Sequence, residues 1–223
     1  MIETLRRSPE RLHLGLMLAL TFSTGVIDAV GYLGLDRVFT GNMTGNVVIL
    51  GMALTGANGL PIVGPVVALA LFMVGAAASG FVLRPVAAGW SGRSTALFAA
   101  VGAILLAGAV AISLAPALAL VVTGALGLAM GAQAGAARHI GVKDVTTVVV
   151  TSTIVGLAFD SVFGARVGGH PWPRRVLAVA LIGAGAAVGA LLLHVHIGAG
   201  MGLAALITLA CALLGHLGRP GPR

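Results

Sequence analysis

The chain has 223 residues, of which 58% are hydrophobic and 9% charged, and its mean hydropathy is +1.08. So few charges cannot cover a water-facing surface, which excludes a soluble globular enzyme; disordered chains are polar and charged, so disorder is excluded too. The 13 Lys and Arg against 6 Asp and Glu leave a formal net charge of +7. These basic residues fall in the tails and short connections, and aromatics make up 4% of the chain, which is the pattern of membrane topology signals and not of a nucleic-acid groove.

A helix needs about 20 apolar residues to cross roughly 30 Å of hydrocarbon. Arg6, Arg7 and Arg11 precede the apolar run Leu14–Ile27 as in a signal peptide. No A-x-A-like cleavage site follows and the apolar pattern continues, so the run is expected to be a retained first span. Candidate spans follow at His13–Leu35, Val38–Thr55, Leu60–Leu83, Ser94–Leu114, Ala117–Ala137, Val145–Ala165, Arg175–Val195 and Gly198–Leu217. The second is short and polar, and only Pro116 divides the fourth from the fifth. The expected fold class is therefore all-α: a polytopic transmembrane helical bundle of six to eight spans. Residues 1–12 would be a cytoplasmic N-terminal tail, 13–217 one transmembrane domain, and 218–223 a C-terminal tail. Gly56–Gly59 followed by Pro61, Arg84–Arg93 and Gly168–Arg175 read as connections, the last two carrying Trp90 and Trp172 where interfacial anchors are expected.

The chain also repeats itself. Shifted by 107 residues, Ala29–Leu50 matches Ala136–Leu157 at Ala29/Ala136, Gly34/Gly141, Val38/Val145, Thr40/Thr147, Thr44/Thr151, Val48/Val155 and Leu50/Leu157. Two internally similar halves are expected, about 13–114 and 117–217. Four spans per half would make the repeat parallel, and an odd number would invert it. With eight spans, Arg6, Arg7, Arg11, Arg166, Arg174, Arg175, Arg219 and Arg223 fall on one side; Arg37, Arg84, Arg93, Arg138 and Lys143 fall on the other. That bias puts both termini in the cytoplasm.

Two polar constellations interrupt the apolar runs. In the first half, Asp28 lies deep in the first span, where a carboxylate costs about 2.5–3.5 kcal/mol on insertion scales and usually has a partner or a function. It is read either as a proton, cation or substrate site or as an ion-pair partner of Arg37 near the interface. Phe39–Asn46 supplies Thr40, Asn42, Thr44 and Asn46, with Gly41 and Gly45 permitting an unwound or closely packed backbone. Broken helices of this kind bind small solutes at the midplane; the same glycines can instead form a G-x-x-x-G packing face. In the second half, Gln133 is an intramembrane amide, Thr147 and Thr151 align with Thr40 and Thr44, and Asp160 reads as a helix-end residue near Arg166. Gly127, Gly131 and Gly135 share one helix face suited to close packing or to self-association.

No nucleophile elbow, zinc-binding H-E-x-x-H or phosphate loop is present in the sequence. His194 and His196 are too few for a metal site, and Cys211 is the lone cysteine. No cofactor, metal or nucleic-acid partner is expected, and no enzyme activity. The expected partners are the lipid bilayer, a small-molecule or ion substrate, and a second copy through the glycine faces.

The segments Gly25–Leu33 and Val38–Asn46 resemble the YoaK family of bacterial membrane proteins, a domain of unknown function with a D-A-x-x-Y … F-x-x-N-M-T-G-N signature. Met130-Gly131-Ala132-Gln133 and Thr151 resemble its second hallmark, usually M-G-x-Q-N, with Ala134 in place of the Asn. The resemblance covers roughly residues 14–217 and implies a bacterial inner-membrane protein without naming a substrate. The residues themselves point to a small secondary transporter or permease, with Asp28, Thr40, Asn42, Thr44, Asn46, Gln133, Thr147 and Thr151 at its site. The alternative is a non-transporting scaffold or partner-binding subunit.

Overall fold

A computed structural model describes residues 8–56, 59–142, 150–161, 164 and 172–219. Eight α-helices follow in order: α1 Pro9–Gly34, α2 Met43–Leu54, α3 Val63–Leu83, α4 Gly92–Leu114, α5 Ala119–Ile140, α6 Val150–Phe159, α7 Trp172–Leu193 and α8 Ile197–Gly218. Six are long and apolar enough to cross a membrane; α2 and α6, with 12 and 10 residues, are not. At 1.5 Å per residue α2 reaches about 18 Å, little more than half the hydrocarbon thickness. The candidate span 38–55 is thus a short helix preceded by non-helical residues, and the described part of 145–165 holds the short helix α6. Residues 143–149, 162–163 and 165–171 lie outside the described residues.

Local chemistry sets the helix ends. Pro9 occupies the first turn of α1, where its missing N–H costs nothing. Ser91 and Ser94 form a reciprocal capping box at the start of α4. A 3-10 turn over Pro116–Leu118 separates α4 from α5, and left-handed Gly141 ends α5. His196 caps α8, its Nδ1 accepting from the Gly198 N–H at 3.0 Å.

The long helices pack as α1 on α7, α3 on α5 and α4 on α8. Glycines set the first two approaches. A β-carbon at Gly25 would overlap the Ile182 carbonyl oxygen, and one at Gly185 would overlap that of Phe22. In the second pair, Gly75 meets Leu128 O, and Gly127 and Gly131 meet Ala68 O and Phe72 O. The Gly127–Gly131–Gly135 face is therefore occupied by α3 of the same chain.

These contacts also give direction. Phe22 and Val26 face Gly185 and Gly189, so α1 and α7 run parallel; Ala68 and Phe72 face Gly127 and Gly131, so α3 and α5 do too. Ser23 donates to Ala204 O while Val30 faces Gly200, so α8 runs against α1. Gly102 faces Leu209 while Gly198 faces Ala109 and Ser113, so α8 runs against α4 as well. Hence α1, α4 and α7 point one way and α3, α5 and α8 the other. The segment Leu35–Ile62, including α2, leaves and returns at one end of the bundle. At the other end α5 finishes and α7 starts, with α6 between them in sequence.

This re-entry redistributes the charges. Among the described residues, Arg11, Arg84, Arg93, Arg138, Arg174, Arg175 and Arg219 gather at the end where α1 starts, and Arg37 lies at the opposite end. The division expected for eight full spans is corrected, because two segments do not cross. Asp160 pairs with Arg175 at 2.6 Å, beside the start of α7; Arg166 is outside the described residues. Trp90 is buried rather than interfacial: it stacks between His13 and Phe98 and donates its indole N–H to Thr95.

The helix-pair geometry predicts a sharp contrast. Gly131→Leu should destabilise the fold by about 1–3 kcal/mol or more by forcing α3 away. Gly80→Leu, where a β-carbon meets nothing within 4 Å, should be tolerated. Monodispersity and thermal unfolding of the two purified variants check this.

Candidate functional site

The site begins with Asp28, four residues beyond Thr24 and therefore on the same face of α1. Its Oδ1 accepts the backbone N–H of Thr40 at 2.9 Å and of Gly41 at 2.7 Å. A third bond, from the Val38 N–H to Gly31 O at 3.3 Å, lays residues 38–41 along α1. The carboxylate thus holds a non-helical backbone segment inside the bundle by satisfying two N–H groups that hydrocarbon would leave unpaired. Arg37 takes no part in this: Asp28's acceptor oxygen is bound by the loop. Gly41 sits so close to α1 that a β-carbon there would press on the Thr24 methyl and the Asp28 carboxylate.

Asn46 fixes the other side of the loop. Its side-chain oxygen accepts the Phe39 N–H at 2.9 Å, and its Nδ2 donates to Phe39 O at 2.5 Å. The amide mimics a paired peptide and ties Phe39 to the second turn of α2. Asn42 caps α2, accepting the Gly45 N–H at 3.2 Å. Tyr32 and Phe39 stack over this corner at 4.8 Å.

Beside the loop lies a cavity of about 260 Å³, lined by Asp28, Gly41, Asn42, Met43, Thr44, Phe72, Val150, Thr151 and Ile182. The lining draws on α1, α2, α3, α6 and α7. Phe72 and Ile182 lie near the middle of α3 and α7, which places the cavity at mid-depth in the bundle. Its walls alternate apolar side chains with a carboxylate, an amide and two hydroxyls, the composition of a small polar-solute site.

Of the residues singled out in the sequence, Asp28, Asn42, Thr44 and Thr151 come together at this cavity. Thr40, in the loop, and Asn46, in α2, are fully buried. Gln133 is also fully buried, donating through Nε2 to Thr24 Oγ1 at 3.1 Å. Thr147 lies outside the described residues. Sequence reasoning passed over Thr24, Phe72 and Ile182. Only the i, i+4 spacing of Thr24 and Asp28 signalled the first; Phe72 and Ile182 are unremarkable members of apolar runs.

A family model described as "Protein of unknown function (DUF1275)" matches residues 16–214. The chain belongs to this family. It is 30% identical over 147 residues to the UPF0700 transmembrane protein YoaK of Bacillus subtilis (strain 168), covering 65% of either chain, so the match spans just under two thirds of that relative. No solved structure matches. The resemblance carried by the F-x-x-N-M-T-G-N segment is accordingly a family relationship, and the chain is a multi-pass membrane protein.

The loop geometry separates Asp28→Ala from Asp28→Asn. The alanine strips the acceptor from two buried N–H groups, at about 1–3 kcal/mol each, and should lower the melting temperature steeply. The asparagine keeps a carbonyl oxygen for both and should melt near wild type. Asn46→Leu should resemble the alanine variant. Thermal unfolding of the three purified proteins in detergent checks the order.

Proposed function

We propose that the chain is a small permease of the bacterial inner membrane, carrying a polar solute through the mid-depth cavity by alternating access. The observation that carries this reading is that Thr44 and Thr151, equivalent under the 107-residue shift, line the same cavity from α2 and α6. Neither short helix spans, and discontinuous elements meeting at mid-depth are how secondary transporters build substrate sites.

The packing supports an inverted repeat. Each half would comprise three long helices and one short one, with α1, α2, α3 and α4 corresponding to α5, α6, α7 and α8. Exchanging the halves turns the α1–α7 pair into the α5–α3 pair and returns α4–α8 to itself, and all three pairs pack closely. Corresponding long helices run in opposite directions, as inversion requires. Rocking the α1–α7 pair against the α3–α5 pair would then expose the cavity to each side in turn. Asp28, Asn42, Thr44 and Thr151 would contact the solute. Thr40, Asn46 and Gln133 would shape the site from behind, and Asp28 would be the coupling carboxylate.

The basic end carries both described chain ends, and by the positive-inside rule it is the cytoplasmic face. A scaffold reading would need a free association surface, and the glycine face best suited to one is taken by α3.

A thermal-shift screen of the detergent-purified protein against ions, organic acids, amino acids and nucleobases tests the reading, followed by flux measurements in proteoliposomes. A true solute at 100 times its dissociation constant should stabilise by about 2.7 kcal/mol. Thr44→Val and Thr151→Val should each weaken that stabilisation while leaving the unliganded melting temperature unchanged. No stabilising compound together with no flux above empty vesicles would sink the permease. Orientation is checked separately: single cysteines at Arg93 and Arg37, in a Cys211→Ser background, should label from the cytoplasmic and the outer face respectively.

A further inference from the structure

The polar groups around Asp28 do not balance. Thr24 spends its proton on Leu20 O at 2.9 Å. Gln133 Nε2 donates to Thr24 Oγ1. Gln133 Oε1 is buried without a hydrogen-bond partner, and the Thr40 hydroxyl, in a side chain that is likewise fully buried, faces the Asp28 carboxylate. Turning the Gln133 amide over does not help, because Thr24 has no second proton to offer its oxygen.

All four side chains sit within one small region. Thr24 and Asp28 are one helical turn apart, and both lie against Gly41. Thr40 is joined to Asp28 through its own N–H, and Gln133 is joined to Thr24. The region leaves the Gln133 side-chain oxygen unmet beside a buried carboxylate. It holds one carboxylate, and no Lys, Arg or His is among the described residues that line the adjoining cavity. A water molecule would supply donors but leave the charge unmet. A cation supplies what is missing on both counts.

We infer that Asp28, Thr24, Thr40 and Gln133 form a binding site for a dehydrated monovalent cation of sodium's size, placed between α1, the 38–41 loop and α5. One carboxylate among neutral oxygens suits a single charge; divalent cations of this class recruit several carboxylates or keep their water. Exposures of 0–9% across the four residues close the site to bulk solvent, so an ion held there would shed its water. Non-helical backbone beside a carboxylate at mid-depth is also where transporters hold sodium. The inference deepens the permease reading by naming its coupling ion, and its geometry stands without that reading. Sodium would draw the loop, α1 and α5 together next to the solute cavity, so ion and solute would each favour the other's bound conformation.

The test is the melting temperature of the purified full-length protein across a sodium chloride titration. Ionic strength is held constant with N-methyl-D-glucamine chloride, and potassium chloride is run in parallel. Sodium should raise the melting temperature saturably, and neither of the other cations should. Asp28→Asn, which keeps the loop's acceptor and removes the charge, should abolish the rise. Gln133→Met and Thr40→Val should each shift half-saturation upward by about tenfold or more. Equal melting in all three salts, or a sodium response that survives Asp28→Asn, would overturn the inference. A flat sodium response alongside solute stabilisation sensitive to Thr44→Val would remove the sodium site and leave the permease. A sodium response with no solute found would do the reverse.

Discussion

Backbone N–H groups cannot go unpaired inside hydrocarbon, and most of this structure's unusual features follow from how that constraint is met at residues 38–41. A continuous helix would have met it internally. Here the chain is non-helical, and the Asp28 carboxylate takes the Thr40 and Gly41 N–H groups while Gly31 O takes that of Val38. Asn46 then pairs with both polar groups of Phe39. Because these side chains replace the missing helical bonds, the loop can sit at depth, and α2 can begin inside the bundle and run back toward the end at which α1 finishes. The cavity exists because the segment does not cross.

The same economy of space governs the long helices. Lipid tails are as apolar as leucine, so helices in a membrane gain little from hiding apolar surface and depend on close packing. Glycine permits that closeness where α1 meets α7 and where α3 meets α5, with backbone against backbone. The lipid-facing sides need no such fit, and Phe81, Leu114 and Leu191 are among the most exposed large side chains. Two tightly held pairs on either side of a mid-depth cavity give rigid units between which relative motion can occur.

Burial of polar groups divides the candidate residues into those that build the site and those that face it. Asp28 does both: its Oδ1 holds the loop while its side chain lines the cavity. Asn46 is committed to structure, with oxygen and nitrogen alike bound to Phe39. Thr44 and Thr151 face the cavity. Gln133 stands apart, tied on one side to Thr24 and unmatched on the other.

Composition alone dictated a helical membrane protein, since so few charges cannot solvate a surface and helices satisfy their own backbone groups. The alternation of apolar runs with Gly, Pro and Arg marked all six long helices, because turn chemistry is local. The polar segment around Asn42 was equally legible as an anomaly. The sequence could not say that Val38–Thr55 turns back, because an apolar run of 18 residues satisfies the length rule whether or not its first residues are helical. That outcome rests on Asp28 reaching 12 and 13 residues ahead for its N–H partners. Nor could it assign the basic residues to faces, since each re-entrant segment reverses the count for every connection beyond it. The meeting of Thr44 with Thr151 and the stranding of Gln133 Oε1 likewise belong to the tertiary structure. They join residues about 107 positions apart, and no local rule connects such distant parts of the chain.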